Sequence, residues 1–157
     1  LKLNNLPVLN MFFIGQMILL GLFYNSVLRL KSQKTFVKIC ILATLLILIV
    51  QFAFDPGQFL KFNLFEITLT SLLIVVFALL HLYNMLTEDK KYYHISIGII
   101  IYLLASTVLF LIGNLSISLS DDLKYLILTL NAFLSLVYQF FILYEWKVSF
   151  YKKSLRS

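Results

Sequence analysis

The chain has 157 residues, 61% of them hydrophobic and only 13% charged, with a mean hydropathy of +0.95. Soluble domains are about half apolar and a quarter charged, so this composition excludes an ordinary water-soluble domain and indicates a membrane protein. The formal charge of +6 does not argue for nucleic acid, because the basic residues gather at the ends of apolar runs, where Lys and Arg anchor spans to the cytoplasmic side.

Five runs are long enough to cross a bilayer. The first is about Val8 to Leu28, with Pro7 where a first-turn proline is tolerated. Asn10, Gln16 and Asn25 do not share a face, so they are expected to meet different neighbours. Gly15 and Gly21 permit close helix approach, but their spacing is not a small-xxx-small seam. The second run, about Phe36 to Phe54, is almost purely aliphatic and has no ionisable group after Lys38, as expected of a lipid-facing helix. Its one cysteine, Cys40, is the only one in the chain and supports neither an internal disulfide nor a thiolate metal site. Asp55-Pro56-Gly57 ends the run with turn chemistry, and Phe59 and Phe62 are expected at the interface.

The third run, about Leu64 to Leu86, is the centre of the predicted arrangement. At ~1.5 Å per residue it reaches roughly 34 Å, enough for a hydrocarbon core of about 30 Å. Stepping ~100° per residue, Glu66, Thr70, Phe77, His81 and Asn84 fall within an arc of roughly 60°. Polar groups in lipid are costly, so that face is expected to look at protein or at water held by protein.

The fourth run is about Ile95 to Ile112. Gly98, Tyr102, Ala105, Ser106 and Gly113 share one side, a small-residue stripe read as a packing seam, with a ligand groove as the alternative. The fifth, about Leu123 to Tyr144, follows Ser120-Asp121-Asp122, where Ser120 is the expected N-cap and the aspartates suit the positive end of a helix dipole. Asn131, Ser135, Tyr138, Gln139 and Glu145 occupy one broad face, and Trp146 with Tyr144 and Tyr151 reads as an interfacial belt.

Ten of the thirteen Lys and Arg residues fall on one side of this threading, between Arg29 and Lys38, at Lys90 and Lys91, and from Lys147 to Arg156; only Lys2, Lys61 and Lys124 fall on the other. The expected fold is therefore all-α, a polytopic bundle of five transmembrane helices forming one domain, with the N-terminus outside and the C-terminus cytoplasmic. The chain begins LKLNNLP without Met, and further helices upstream are left open; the first run is too long for a signal peptide and lacks a cleavage site.

Catalytic signatures are missing: there is no HExxH, GxSxG, Walker loop or CxxC pair. No cofactor and no metal site is expected, and the protein is read as non-enzymatic. Glu66 and His81 lie roughly 22 Å apart along their helix, with Thr70 the clear polar group between them, so a proton path is disfavoured. Glu66 is read as an interfacial carboxylate at a helix N-terminus, with a buried hydrogen-bonding or proton-accepting role as the alternative, and His81 as an interhelical hydrogen-bond partner. His94 and Glu145 are expected at the cytoplasmic surface, solvated or paired with nearby lysines.

From Phe62 onward the segments FNLFEITLTSLLIVVFALLHLY, ISIGIIIYLLASTVLFLIGN and LNAFLSLVYQFFILYEW resemble a group of uncharacterised multi-pass inner-membrane proteins of the Bacteroidetes, chiefly flavobacteria. The matching positions are Phe65 and Glu66; Ile97, Gly98, Ile101, Tyr102, Phe110 and Asn114; and Trp146 before the basic tail, across about 60% of the chain. Those proteins usually carry an Arg just before the Phe-Glu pair, where this chain has Asn63 and Leu64, so no ion-pair role transfers to Glu66. They also tend to have about two more spans. Their genes often lie beside those of sensor histidine kinases, and the resemblance implies a sensory or signal-relay module acting by contact with a membrane partner.

The alternative is a structural or accessory subunit of a larger inner-membrane complex, respiratory or motility-related, which the bare second run and short loops suit equally. A transporter ranks third, since there is no internal repeat and no span broken by glycine or proline. The expected partners are the lipid bilayer and other membrane proteins, with a sensor kinase or a large complex as candidates and no nucleic acid. The expected location is the bacterial inner membrane, with the mitochondrial inner membrane as the alternative on compositional bias.

Overall fold

The computed structural model describes residues 6–87, 90–115 and 121–154. Among these the chain is all-helical: α1 (Leu6–Val27), α2 (Lys31–Phe54), a 3-10 turn (Pro56–Leu60), α3 (Leu64–Asn84), α4 (Tyr93–Leu115) and α5 (Asp121–Ser154). All five α-helices are long and apolar enough to cross a membrane. Ser120 and Lys2 lie outside the described residues.

Two boundaries differ from expectation. α2 begins at Lys31 rather than Phe36, so Lys31, Lys34 and Lys38 sit in its first turns instead of in a loop. Their long alkyl stems let a lysine belong to a spanning helix while its ammonium reaches water. α5 runs ten residues past Tyr144, because nothing after Tyr144 is a glycine or proline that would stop it.

The single domain expected from sequence is divided by its contacts into two compact units, Leu1–Leu80 and His81–Ser157, with the boundary inside α3. In the first unit α1 buries Asn10, Phe13, Met17, Gly21 and Tyr24, a three-and-four spacing that keeps one stripe turned inward. α2 packs on α1 and buries Val37, Thr44 and Leu48, while its remaining apolar residues are largely exposed. The helices come close at Gly21, where a Cβ would press on the end of the Ile41 side chain. Phe77 of α3 closes the same layer, its ring edge-on to Phe36 with centroids 6.4 Å apart.

The turn after α2 forms as its sequence predicts. Asp55 accepts from the Gly57 amide (3.0 Å) and the Gln58 side chain (3.1 Å), with Pro56 opening the 3-10 turn.

In the second unit α4 packs along α5. The pairings step backward along α5 as they advance along α4, so the two helices are antiparallel. A Cβ on Gly98 would strike Phe141, and one on Gly113 would touch Ile127. Between these points Tyr102 stacks on Tyr138 (centroids 5.4 Å, planes 7° apart), and the Ser106 hydroxyl donates to the Asn131 side-chain oxygen. Small residues bring the backbones close, and hydrogen-bonding side chains then pair across the seam, the arrangement that drives helix association in lipid.

Candidate functional site

The polar stripe of α3 is buried along its whole length. Glu66, Thr70, Phe77, His81 and Asn84 are all among the least exposed residues of the chain. They do not share one task.

At the start of α3, Asn63 is the N-cap. Its Oδ1 accepts from the Glu66 amide (3.2 Å) and from Gln51 Nε2 at the end of α2 (3.3 Å). Asn10 of α1 donates through Nδ2 to the backbone oxygens of Phe59 (2.9 Å) and Lys61 (3.2 Å), tying α1 to the turn that leads into the cap. Glu66 is 0% exposed, and neither of its carboxylate oxygens has a partner among the described residues. Asn-Leu-Phe-Glu has the spacing of a capping box, but the return bond from Glu66 is not made. Asn63 and Gln51 were not singled out by sequence reasoning, although the Asn-x-x-Glu signature was there to be read. Thr70 turns its hydroxyl onto its own helix, so that its proton goes to the oxygens of Glu66 (2.8 Å) and Ile67 (3.3 Å).

At the other end of α3, His81 Nδ1 lies 2.8 Å from the Ser96 hydroxyl of α4, both groups buried. This is the interhelical bond expected of His81. Replacing His81 with alanine is expected to cost about 1 kcal/mol, the usual worth of an interhelical hydrogen bond in a membrane protein. Thermal melting in detergent measures it, and His81→Gln, which keeps a polar partner for Ser96, should recover part of the loss.

His94 and Glu145 differ from expectation. Glu145 is only 4% exposed and pairs with no lysine among the described residues. Its oxygens accept from the amides of Tyr92 (3.1 Å) and His94 (3.0 Å), from His94 Nδ1 (2.9 Å) and from the Ser149 hydroxyl (3.3 Å). A carboxylate has only acceptors to offer, so His94 carries a proton on Nδ1 in this contact. Glu145 thus caps the N-terminus of α4 from α5, where the helix dipole favours a negative group. Tyr92 holds a left-handed backbone (φ 60°) just before the helix, which lets both amides face one carboxylate. Lys90 and Lys91 lie over the rings of Tyr93 and Tyr92 instead, at 5.6 and 5.1 Å.

The polar face expected on α5 divides in two. Asn131 and Tyr138 meet Ser106 and Tyr102 of α4, and Ser135 is half-buried. Gln139 is exposed, about 100° round the helix from Tyr138, and has no hydrogen-bond partner among the described residues.

No cluster of three or more His, Cys, Asp or Glu able to hold a metal occurs among the described residues. A shallow cavity of about 270 Å³ beside Ser32, Gln33, Phe36 and Leu80 carries no ionisable group. No family model, curated protein or solved structure matches the chain.

Proposed function

We propose that the protein is a non-enzymatic, multi-pass inner-membrane protein that works by contact with a second membrane protein through the open side of α5. In this reading the chain crosses the bilayer five times, N-terminus outside and C-terminus cytoplasmic, so that ten of thirteen basic residues fall on the cytoplasmic side. The likeness to the Bacteroidetes proteins supports a sensory or relay role for that contact, and it rests on the motif residues alone.

The observation that carries the reading is Gln139. No residue of the most apolar stretch of α5 is buried. Gln139 lies two residues, ~3 Å, from the midpoint of the span Tyr125–Ser149, at the depth where an unsatisfied amide is costly. A neighbouring helix that hydrogen-bonds the amide removes that cost; acyl chains cannot. Leu136 and Leu143, one turn to either side and both exposed, supply the apolar flanks of the contact.

A photo-crosslinking residue at position 136 or 143 tests this in native membranes. Adducts to a protein are expected, and Gln139→Leu should weaken them while the chain still melts like wild type. Adducts to lipid alone reject the reading. A partner recovered in fixed stoichiometry within a large assembly would make the protein an accessory subunit, and a kinase would make it a relay.

A further inference from the structure

We propose that the first unit holds a small monovalent cation of the sodium class, bound by Glu66 with the side-chain oxygens of Asn10 and Gln51. The amide orientations in this cluster are set by bonds already made. Asn10 Nδ2 is occupied by the Phe59 and Lys61 oxygens, and Gln51 Nε2 is directed to Asn63 Oδ1, itself engaged by the Glu66 amide. What remains buried and without a partner among the described residues is Asn10 Oδ1, Gln51 Oε1 and both oxygens of Glu66, against a single donor, Asn63 Nδ2. Asn10 and Glu66 are each 0% exposed, and Asn63 is 3% exposed. Four side-chain acceptors and one side-chain donor are thus left on residues that the hydrogen bonds gather around the Asn63 cap and the turn before it, and a bound cation satisfies the acceptors.

The charge of that ligand follows from the same residues. Glu66 is the one carboxylate in the cluster, so a monovalent cation leaves the buried group neutral, whereas a divalent ion would leave a net charge away from water. Carboxylate and amide oxygens are hard ligands, suited to an alkali ion rather than to a thiolate- or imidazole-seeking metal. The hydrogen bonds tie the start of α1 to the turn after α2, and the end of α2 to the cap of α3, so the cation would fasten three helix ends. The cation ligands share no residue with the proposed α5 contact, and each stands or falls on its own test.

The test uses the full chain in detergent at constant ionic strength, melted in increasing sodium chloride with choline chloride as the balance, and compared with ²³Na NMR titration. Sodium is expected to raise the melting temperature saturably, and Glu66→Gln to abolish both the shift and the NMR response. Gln51→Leu, which leaves the carboxylate in place, should weaken the apparent sodium affinity by roughly 10- to 100-fold, a range typical of weakened metal-site shells. Indistinguishable melting in sodium and choline would overturn the proposal, since water or a proton then satisfies the cluster. A sodium response retained in Glu66→Gln would overturn it too. If Glu66→Gln does not fold, the wild-type comparison and the Gln51→Leu affinity decide.

Discussion

Glu145→Ala is expected to lower stability by about 3 kcal/mol, since each buried donor left without a partner costs about 1–3 kcal/mol and partial access of water offsets some of it. Three donors lose their acceptor at once: the amides of Tyr92 and His94 and the His94 ring. His94 is half-buried, which is why the sum falls short of three full penalties. Melting in detergent reads the total, and hydrogen exchange at the Tyr92 and His94 amides reads the cause, with protection at both lost together. Glu145→Gln should be intermediate, because the amide keeps one acceptor but turns an NH2 toward groups that also donate. Ser149→Ala should change little, its hydroxyl lying at 3.3 Å on an exposed residue. An alanine variant that melts with wild type would mean that water caps α4 as well as the carboxylate does.

Gly98→Ala should cost about 1–3 kcal/mol, the usual range for overpacking, and Gly98→Leu more. The added Cβ would lie 2.7 Å from Phe141 Cβ and 2.9 Å from its Cγ. The Cβ of Phe141 is fixed by its backbone and no rotamer change removes that contact, so the helices must part. One turn along α4, the Tyr102–Tyr138 stack would then be pulled open, which the near-ultraviolet circular dichroism of the tyrosines reports independently of melting. Phe141→Ala in the Gly98→Ala background removes Cγ and the ring but leaves Cβ, so rescue should be partial. The double-mutant cycle should show coupling between the two sites. Full additivity would place the cost of the glycine change within α4 itself rather than at the seam.

Much of this arrangement is legible in one dimension. Five apolar runs become five helices because hydropathy and helical period are properties of neighbouring residues, and the packing residues Gly98, Tyr102, Ser106 and Gly113 announce themselves by sharing a face. The α3 stripe was legible for the same reason. Asp55-Pro56-Gly57 was legible because an Asp side chain reaches its own backbone two residues on.

The partners of the polar groups were not. Glu145 caps a helix that begins some fifty residues earlier, and Asn10 bonds a turn nearly fifty residues later. Periodicity cannot assign such a bond, since any exposed carboxylate near lysines has the same local pattern as one that caps a neighbouring helix. Gln139 makes the converse point. It lies beside Tyr138 in the sequence and within the same broad arc, yet a rotation of 100° separates a seam residue from an exposed one.

The residues by themselves determined how many helices form, roughly where each begins and ends, and which faces are too polar for lipid, because those depend on local hydropathy and local backbone preference. Only the tertiary structure decided which polar groups complete one another and which stay unmatched: the carboxylate of Glu145 finds four donors, while that of Glu66 finds none among the described residues. That distinction depends on atoms brought within about 3 Å by helices distant in the chain, and hydrogen bonding falls away steeply beyond that reach.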